Sequence, residues 1–156
     1  MRTVDEIHVR APADRVFDLA ADVESWPAIL SHYRWVRMLE RPAGRAAVVE
    51  MAAWRPFGPL NYPTWWVSEM RIERSARRVL YRHVRGITRG MDVEWRVEPE
   101  ATGTQVTIVH EWRGPSWPLI GGVAADLVIG PVFIHGIASR TLAGIAKAAE
   151  GGTATP

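Results

Sequence analysis

The last long apolar stretch of the chain, from Ala125 to Glu150, has the spacing of an amphipathic helix. Its apolar residues recur at steps of three and four, which places them on one helix face. They are Leu127, Pro131, Ile134, Ala138, Leu142, Ile145 and Ala149. Because this face is wide, it needs a large apolar partner. We therefore predict a long C-terminal helix held against a sheet.

Earlier in the chain, apolar and polar residues alternate, which is the pattern of half-buried strands. The elements predicted before the long helix are a strand containing Val4, Ile7 and Val9, a helix from Pro12 or Ala13 to Asp22, a helix from Trp26 to about Leu30, and strands at Tyr33–Arg41, Ala46–Trp54, Trp65–Arg74, Arg77–Arg85, Met91–Glu98 and Val106–Arg113. This order predicts an α+β fold. A curved, seven-stranded antiparallel sheet would surround the long helix, with two short helices after strand 1 and an internal cavity.

Between two of these strands, the segment from Arg55 to Pro63 contains three prolines, a glycine and Asn61. Such residues are typical of turns and loops. We predict a loop here that could act as a lid over the cavity.

Length and composition favour one cytoplasmic domain. The chain has 156 residues, predicted as a domain at 1–150 and a disordered tail at 151–156. The start of the chain lacks the apolar core of a signal peptide, and Asp126 and Pro131 interrupt the most apolar segment, so no membrane span or membrane contact is predicted.

The 19 basic residues nearly balance 17 acidic ones and form no run, so we expect no nucleic-acid partner. Without cysteines or a metal-ligand spacing, no metal site and no cofactor are predicted.

Eight tryptophans are more than an ordinary core of this size needs. Indole rings are well suited to lining a pocket for flat or apolar ligands, so we predict that a hydrophobic small molecule binds in the cavity. The residues predicted to contact this ligand are Trp26, Trp35, Trp54, Trp66, Ser68, Met70, Met91, Trp95, Trp112 and His135.

Local motifs add a family resemblance to this pattern. The motifs are Ile7–Pro12 followed by Val16, Asp18 and Asp22, then Glu24–Pro27, Ser31–Tyr33, Trp66–Ser68, Met91–Trp95, Gly103–Thr104 and Val109–Trp112. Together they resemble the polyketide cyclase/aromatase branch of the START-like, helix-grip (SRPBCC) superfamily. The resemblance runs from about residue 5 to residue 149.

The resemblance implies an activity as well as a fold. Such cyclases hold a poly-β-ketone, delivered on an acyl carrier protein, between helix and sheet. The chain folds, undergoes intramolecular aldol condensation and loses water. This chemistry needs a base at a carbon next to a carbonyl, a donor to the developing oxyanion and an acid for the departing hydroxide.

Three residues are the catalytic candidates. Tyr33 stands where the family has a pocket tyrosine, and its hydroxyl could donate to a ketone oxygen. Arg82 matches a pocket arginine if its strand face points inward; if the opposite face does, Tyr81 and His83 line the cavity instead. His110 alternates with the apolar residues of its strand, and a neutral imidazole can act as acid or base.

Met70 is the main departure from the family pattern. By alternation Trp66, Ser68 and Met70 share an inward face, and active aromatases carry an arginine where this chain has Met70. Arg71 faces the other side of the sheet and cannot replace it. His135 on the long helix could approach His110 across the cavity.

Two functions of different classes therefore remain open. One is a polyketide cyclase or dehydrase that uses Tyr33, Arg82 and His110. The other is a carrier of a lipid, quinone or aromatic metabolite that does no chemistry, which Met70 favours. A protein-interaction module is a third, weaker alternative.

Overall fold

The computed structural model describes residues 1–41, 43–57, 60–114 and 134–151, with the backbone only at 55–57 and 60. Its strands are β1 (Arg2–Val9), β2 (Tyr33–Glu40), β3 (Ala47–Phe57), β4 (Leu60–Glu73), β5 (Arg78–Gly86), β6 (Asp92–Glu100) and β7 (Gly103–Glu111). Its helices are α1 (Ala13–Ala21), α2 (Trp26–Ile29) and α3 (His135–Gly151), with a 3₁₀ turn at Val23–Ser25 before α2.

The seven strands form one antiparallel sheet in the order β1-β7-β6-β5-β4-β3-β2. Every neighbour is consecutive in sequence except β1, which pairs with β7. Helix α3 lies against β1 and α1 and also contacts α2 and β3. The predicted helix-grip architecture is therefore confirmed, including the two short helices after β1.

The core lies between α3 and one face of the sheet, as the alternation predicted. The buried residues of the helix stripe are Ile134, Ala138, Leu142, Ile145 and Ala149, each no more than 4% exposed. On the facing strands, Val79, Trp95 and Val106 are among the residues that close this core. The part of the predicted helix from Ala125 to residue 133 lies outside the described residues.

The prediction of a loop from Arg55 to Pro63 is wrong. Strands β3 and β4 continue as a hairpin through this segment, with pairs as far as Phe57 and Leu60. The pairing of β3 with β2 ends at Ala53 and that of β4 with β5 begins at Trp66, so within the described ranges each strand is paired on one side only here. Proline is tolerated where a strand has a free side, since no hydrogen-bond partner is missed there.

A bulge in β5 shapes the inner face of the sheet. Val67 pairs with Arg85 but Ser68 pairs with His83, so one extra residue lies in β5. Beyond it, Gly86 has a φ of 98°, and a Cβ at this position would lie 2.6 Å from the carbonyl oxygen of Trp65. A side chain at this position is therefore excluded by both backbone conformation and space.

A buried histidine connects α3 to the segment before β2. His32 is 8% exposed, and its Nε2 lies 2.9 Å from Oγ1 of Thr141. That hydroxyl donates to the carbonyl of Ile137, so it accepts the N–H of His32. Burial, assisted by the positive charge of Arg140, lowers the pKa of His32 to about 4. The neutral imidazole is therefore part of the folded structure.

Replacing Gly86 with Ala should lower the free energy of unfolding by about 1–3 kcal/mol, because the methyl group meets backbone in a strained conformation. Urea denaturation measures the loss. Gly44→Ala is the control: it also has a positive φ of 69°, but nothing lies within 4 Å of its added Cβ. Equal losses in the two variants would contradict the steric account.

Stability should fall with decreasing pH through His32. Its folded pKa of about 4 lies below the unfolded value of 6.5, so the unfolded state binds more protons between these values. Its contribution should be complete above pH 6.5 and lost progressively towards pH 4. His32→Gln, which can still donate to Thr141, should show a weaker dependence in urea titrations over this range. Identical pH profiles for variant and parent would refute this role.

Candidate functional site

Aromatic and polar side chains from five strands meet α3 and α2 in one place, which we call the inner pocket. Its lining consists of Trp26, Tyr33, Met51, Trp66, Tyr81, His83, Thr88, Met91, Val93, Trp95, Ile108, His110, Ile134, Ile137, Ala138 and Thr141. None of these described lining residues carries a carboxylate, an ammonium or a guanidinium group.

The free volume of the inner pocket is about 60 Å³. This is room for a few water molecules, whereas pockets for organic ligands are commonly on the order of 300–1,000 Å³. A ligand-sized internal cavity therefore stays a prediction. What the structure establishes is which side chains face the space between sheet and helix.

Aromatic rings form one wall of the inner pocket. Trp26 lies edge-on to Tyr33 at a centroid distance of 5.1 Å and is 5.6 Å from Trp95. Trp66 lies 6.2 Å from Tyr33 and stacks on His83 at 5.9 Å. The indole N–H of Trp26 is already used, since it donates to the carbonyl of Leu19 at 2.9 Å. Trp26 therefore presents an apolar surface to the pocket.

Tyr33 and His110 both line the inner pocket, where the sequence placed them. Tyr33 is 7% exposed at the start of β2. His110 is 9% exposed on β7, and its Nδ1 lies 3.4 Å from the hydroxyl of Thr3 on β1. The imidazole is thus oriented by a neighbouring strand. The catalytic roles of both residues stay predictions.

Strand β5 contributes Tyr81 and His83. His83 is 9% exposed, with Nδ1 2.6 Å from the hydroxyl of Thr88. The hydroxyl of Tyr81 is buried and has no hydrogen-bond partner among the described residues. Burial, with a further effect of Tyr33, raises the pKa of Tyr81 well above its usual value. Its phenol is therefore neutral at physiological pH and available to donate.

The prediction that Arg82 lines the cavity is wrong. Its side chain is 60% exposed on the outer face of the sheet and binds the carboxylate of Asp92 at 2.9 Å. Neighbours in a strand point to opposite faces, so Tyr81 and His83 occupy the inner face instead. This is the alternative that periodicity left open.

Trp35 and Trp54 also lie outside the inner pocket, contrary to prediction. Tyr33 pairs with Ala53 but Trp35 pairs with Ala52, so a bulge at Arg34 sends Trp35 to the outer face. The guanidinium of Arg34 lies between the two indoles, 4.6 Å from the ring of Trp35 and 4.5 Å from that of Trp54. These tryptophans form an outer aromatic cluster.

Three further candidates are buried without lining the inner pocket. Ser68 and Met70 are 0% and 3% exposed and lie on the inner face of β4, as the alternation indicated. The hydroxyl of Ser68 has no partner among the described residues. Trp112, which follows β7, donates its indole N–H to the carbonyl of Arg89 at 3.0 Å. Their predicted contacts with a ligand stay untested, whereas the predicted lining residues Trp66, Met91 and Trp95 do line the inner pocket.

His135 does not approach His110 as predicted. It lies at the first residue of α3 with a side chain that is 66% exposed, and its Nδ1 contacts a carboxylate oxygen of Asp5 on β1. Asp5 is 4% exposed, and burial raises its pKa while the contact with His135 opposes that shift. The sequence analysis did not identify Asp5, which interrupts an apolar alternation in β1.

The other lining residues missed from the sequence had weak signals. Thr88 belongs to the turn between β5 and β6, and Thr141 belongs to the polar flank of the helix stripe. Met51 lies inward on β3, where alternation alone could have found it. Turn residues carry no periodicity, so only the folded turn shows that Thr88 meets His83.

Two features of the described residues bear on other classes of function. No group of three potential metal-ligating side chains is found among them. None of the described helices is long and apolar enough to cross a membrane.

The inner pocket combines two phenols and two imidazoles with an apolar surround. Phenols donate hydrogen bonds to oxygen atoms, and imidazoles accept or donate protons near neutral pH. Hydrogen bonds act more strongly in such an enclosed environment than in water. The arrangement is suited to moving protons on a carbonyl-containing ligand without a charged side chain.

Comparison with known proteins gives a consistent result. Residues 9–129 match the family model described as polyketide cyclase / dehydrase and lipid transport. A "Putative polyketide cyclase" of Streptomyces cyaneus is 33% identical over 129 residues, covering 81% of this chain and 82% of the relative. The actinorhodin polyketide synthase bifunctional cyclase/dehydratase of Streptomyces coelicolor is 27% identical over 128 residues, covering 81% of this chain but only 39% of that protein.

The fold has solved counterparts. The crystal structure of the Zhui aromatase/cyclase from Streptomyces sp. R1128 superposes with a TM-score of 0.80 at 21% identity, covering 96% of this chain and 93% of that one. At this identity the likeness concerns the fold. Because the family model matches most of the sequence, the chain belongs to the polyketide cyclase / dehydrase and lipid transport family.

Proposed function

We propose that this protein binds a polyketide-type hydrophobic ligand in the inner pocket and catalyses its intramolecular aldol cyclisation and dehydration. One observation carries the proposal: Tyr33, Tyr81, His83 and His110 converge on a single apolar pocket. The buried hydroxyl of Tyr81 has no hydrogen-bond partner among the described residues, and such a group is costly in a pocket that only has to be apolar. It gains a partner if a ligand carbonyl binds there.

His110 is the proposed acid and base. In the aldol step it removes a proton from the carbon between two carbonyls and delivers a proton to the alkoxide that forms. In the dehydration step it removes the second proton from that carbon and delivers a proton to the departing hydroxide, which leaves as water. Tyr81 and Tyr33 are the proposed donors to the carbonyl that becomes an alkoxide. Because no described lining residue is cationic, the oxyanion is stabilised by neutral donors, which are individually weaker than a guanidinium.

A non-catalytic carrier is the second candidate. The apolar walls and the presence of Met70 where active aromatases carry an inward arginine favour a protein that only encloses an apolar ligand. Under this function the four polar side chains would serve only to orient the ligand. Delivery on an acyl carrier protein and a cytoplasmic location, both expected from the sequence, stay predictions.

Tyr81→Phe separates catalysis from stability. Removing a buried hydroxyl that has no partner in the described structure should leave the free energy of unfolding unchanged or slightly higher. Turnover of a synthetic poly-β-ketone thioester should fall by on the order of 10²-fold, the effect of losing one oxyanion donor. Tyr62→Phe, at an exposed tyrosine, is the matched control. Parental turnover in the Tyr81 variant would remove this residue from the mechanism.

His110→Gln should reduce turnover by about 10²- to 10⁴-fold, the usual contribution of a positioned acid–base group. The amide keeps a polar contact with Thr3 but cannot exchange protons at neutral pH. Chromatography of the cyclised product measures the rate, and His8→Gln, at a histidine on the outer side of β1, is the control. If both this variant and Tyr81→Phe turn over at the parental rate, neither residue takes part in the chemistry. If the parent protein itself gives no turnover, the carrier function replaces the enzymatic one.

A further inference from the structure

We propose that Thr3, Asp5 and His135 form a proton path that connects His110 in the inner pocket with solvent. The proposal rests on the proposed function, in that His110 is taken to be a proton-transfer group. It assigns a role to Asp5, a buried carboxylate that the cyclisation chemistry leaves unused.

The path begins at the pair Thr3 and His110. These residues lie directly opposite each other in the β1–β7 ladder, and Nδ1 of the imidazole is 3.4 Å from the threonine hydroxyl. A hydroxyl can accept one hydrogen bond while it donates another. Thr3 can therefore receive a proton from the imidazole and release its own on the other side.

Asp5 provides the next group. It is 4% exposed on β1, and one carboxylate oxygen contacts His135 while Oδ2 is buried without a partner among the described residues. Burying a carboxylate oxygen without a hydrogen-bond donor costs free energy, so a functional role is expected for it. Receiving a transferred proton at Oδ2 of Asp5 would be such a role.

Strand geometry brings Thr3 and Asp5 within reach of each other. They are consecutive inward residues of β1, so their Cα atoms are roughly 6.5–6.8 Å apart. One water molecule can bridge polar groups at such a separation. The raised pKa of Asp5, caused by burial, makes the protonated carboxyl easier to form.

His135 completes the path at the protein surface. Its side chain is 66% exposed, so it exchanges protons with water, while its Nδ1 contacts the buried carboxylate. The proton path therefore runs from the inner pocket to the protein surface across the edge of the sheet, beneath the first turn of α3.

Each transfer is balanced. When His110 gains a proton at Nε2, the proton on Nδ1 passes to Thr3, and the hydroxyl proton of Thr3 moves through water to Asp5. Asp5 passes a proton to His135, which releases one to solvent. The reverse sequence restores the starting state, so His110 can be reset between condensation and dehydration independently of the ligand.

Exchange of the imidazole N–H proton of His110 with water tests the path. In the ¹⁵N-labelled full chain, Thr3→Val, Asp5→Asn and His135→Gln should each slow this exchange by on the order of tenfold or more. Thr3→Ser, which keeps a hydroxyl, should restore the parental rate. Glu6→Gln is the control, because this neighbouring β1 residue contacts Thr107 on the opposite face.

The result needs no substrate, so it is independent of whether the protein is a cyclase. Parental exchange rates in Asp5→Asn and Thr3→Val, with native spectra, would overturn the path even if turnover is observed. Slowed exchange together with absent turnover would support the path and refute the proposed function. Since His135 is exposed, His135→Gln should fold, and it keeps the test valid if a buried variant does not.

Discussion

The structure depends on burial of one face of the antiparallel sheet against helix α3. Apart from bulges in β2 and β5, the seven strands alternate inward and outward residues. The inward residues must be covered, and the apolar stripe of α3 covers them. This packing accounts for the size of the core. It also means that any polar residue placed at an inward position is enclosed with the helix above it, where hydrogen bonds are strong and unmet ones are costly.

Inward polar residues are therefore informative in this fold. A chain selected for packing alone would fill these positions with aliphatic side chains. Tyr81, Ser68 and Asp5 instead keep buried oxygens that have no hydrogen-bond partner in the part of the chain that the structure describes. His32 and Thr141 show the opposite case, a buried pair that is fully used in holding α3. The His32–Thr141 pair stabilises the fold, whereas the buried oxygens named above are free to bind a ligand or to accept a proton. Local departures from good packing are expected at functional sites.

The sequence predicted the order of elements, because strand alternation and the helix stripe depend on burial alone. His110 faces the inner pocket, as alternation indicated, because it lies on an uninterrupted run of alternating residues in β7. Tyr33 was indicated by the family resemblance, and it lines the pocket just before a bulge in β2. The prediction failed where alternation is broken: the bulge at Arg34 turns Trp35 outward. Arg82 could not be placed because both faces of β5 carry apolar residues. The Asp5–His135 contact joins residues 130 positions apart, which no local pattern can show.

The central claim is that the inner pocket does chemistry on a polyketide-type ligand. Its most direct test is mass spectrometry of a synthetic poly-β-ketone thioester incubated with the intact protein at catalytic concentration. The account predicts multiple turnovers to one cyclised product that has lost a water molecule for each aromatised ring. Recovery of the unchanged thioester, bound in a stoichiometric complex, would contradict it and identify the protein as a carrier.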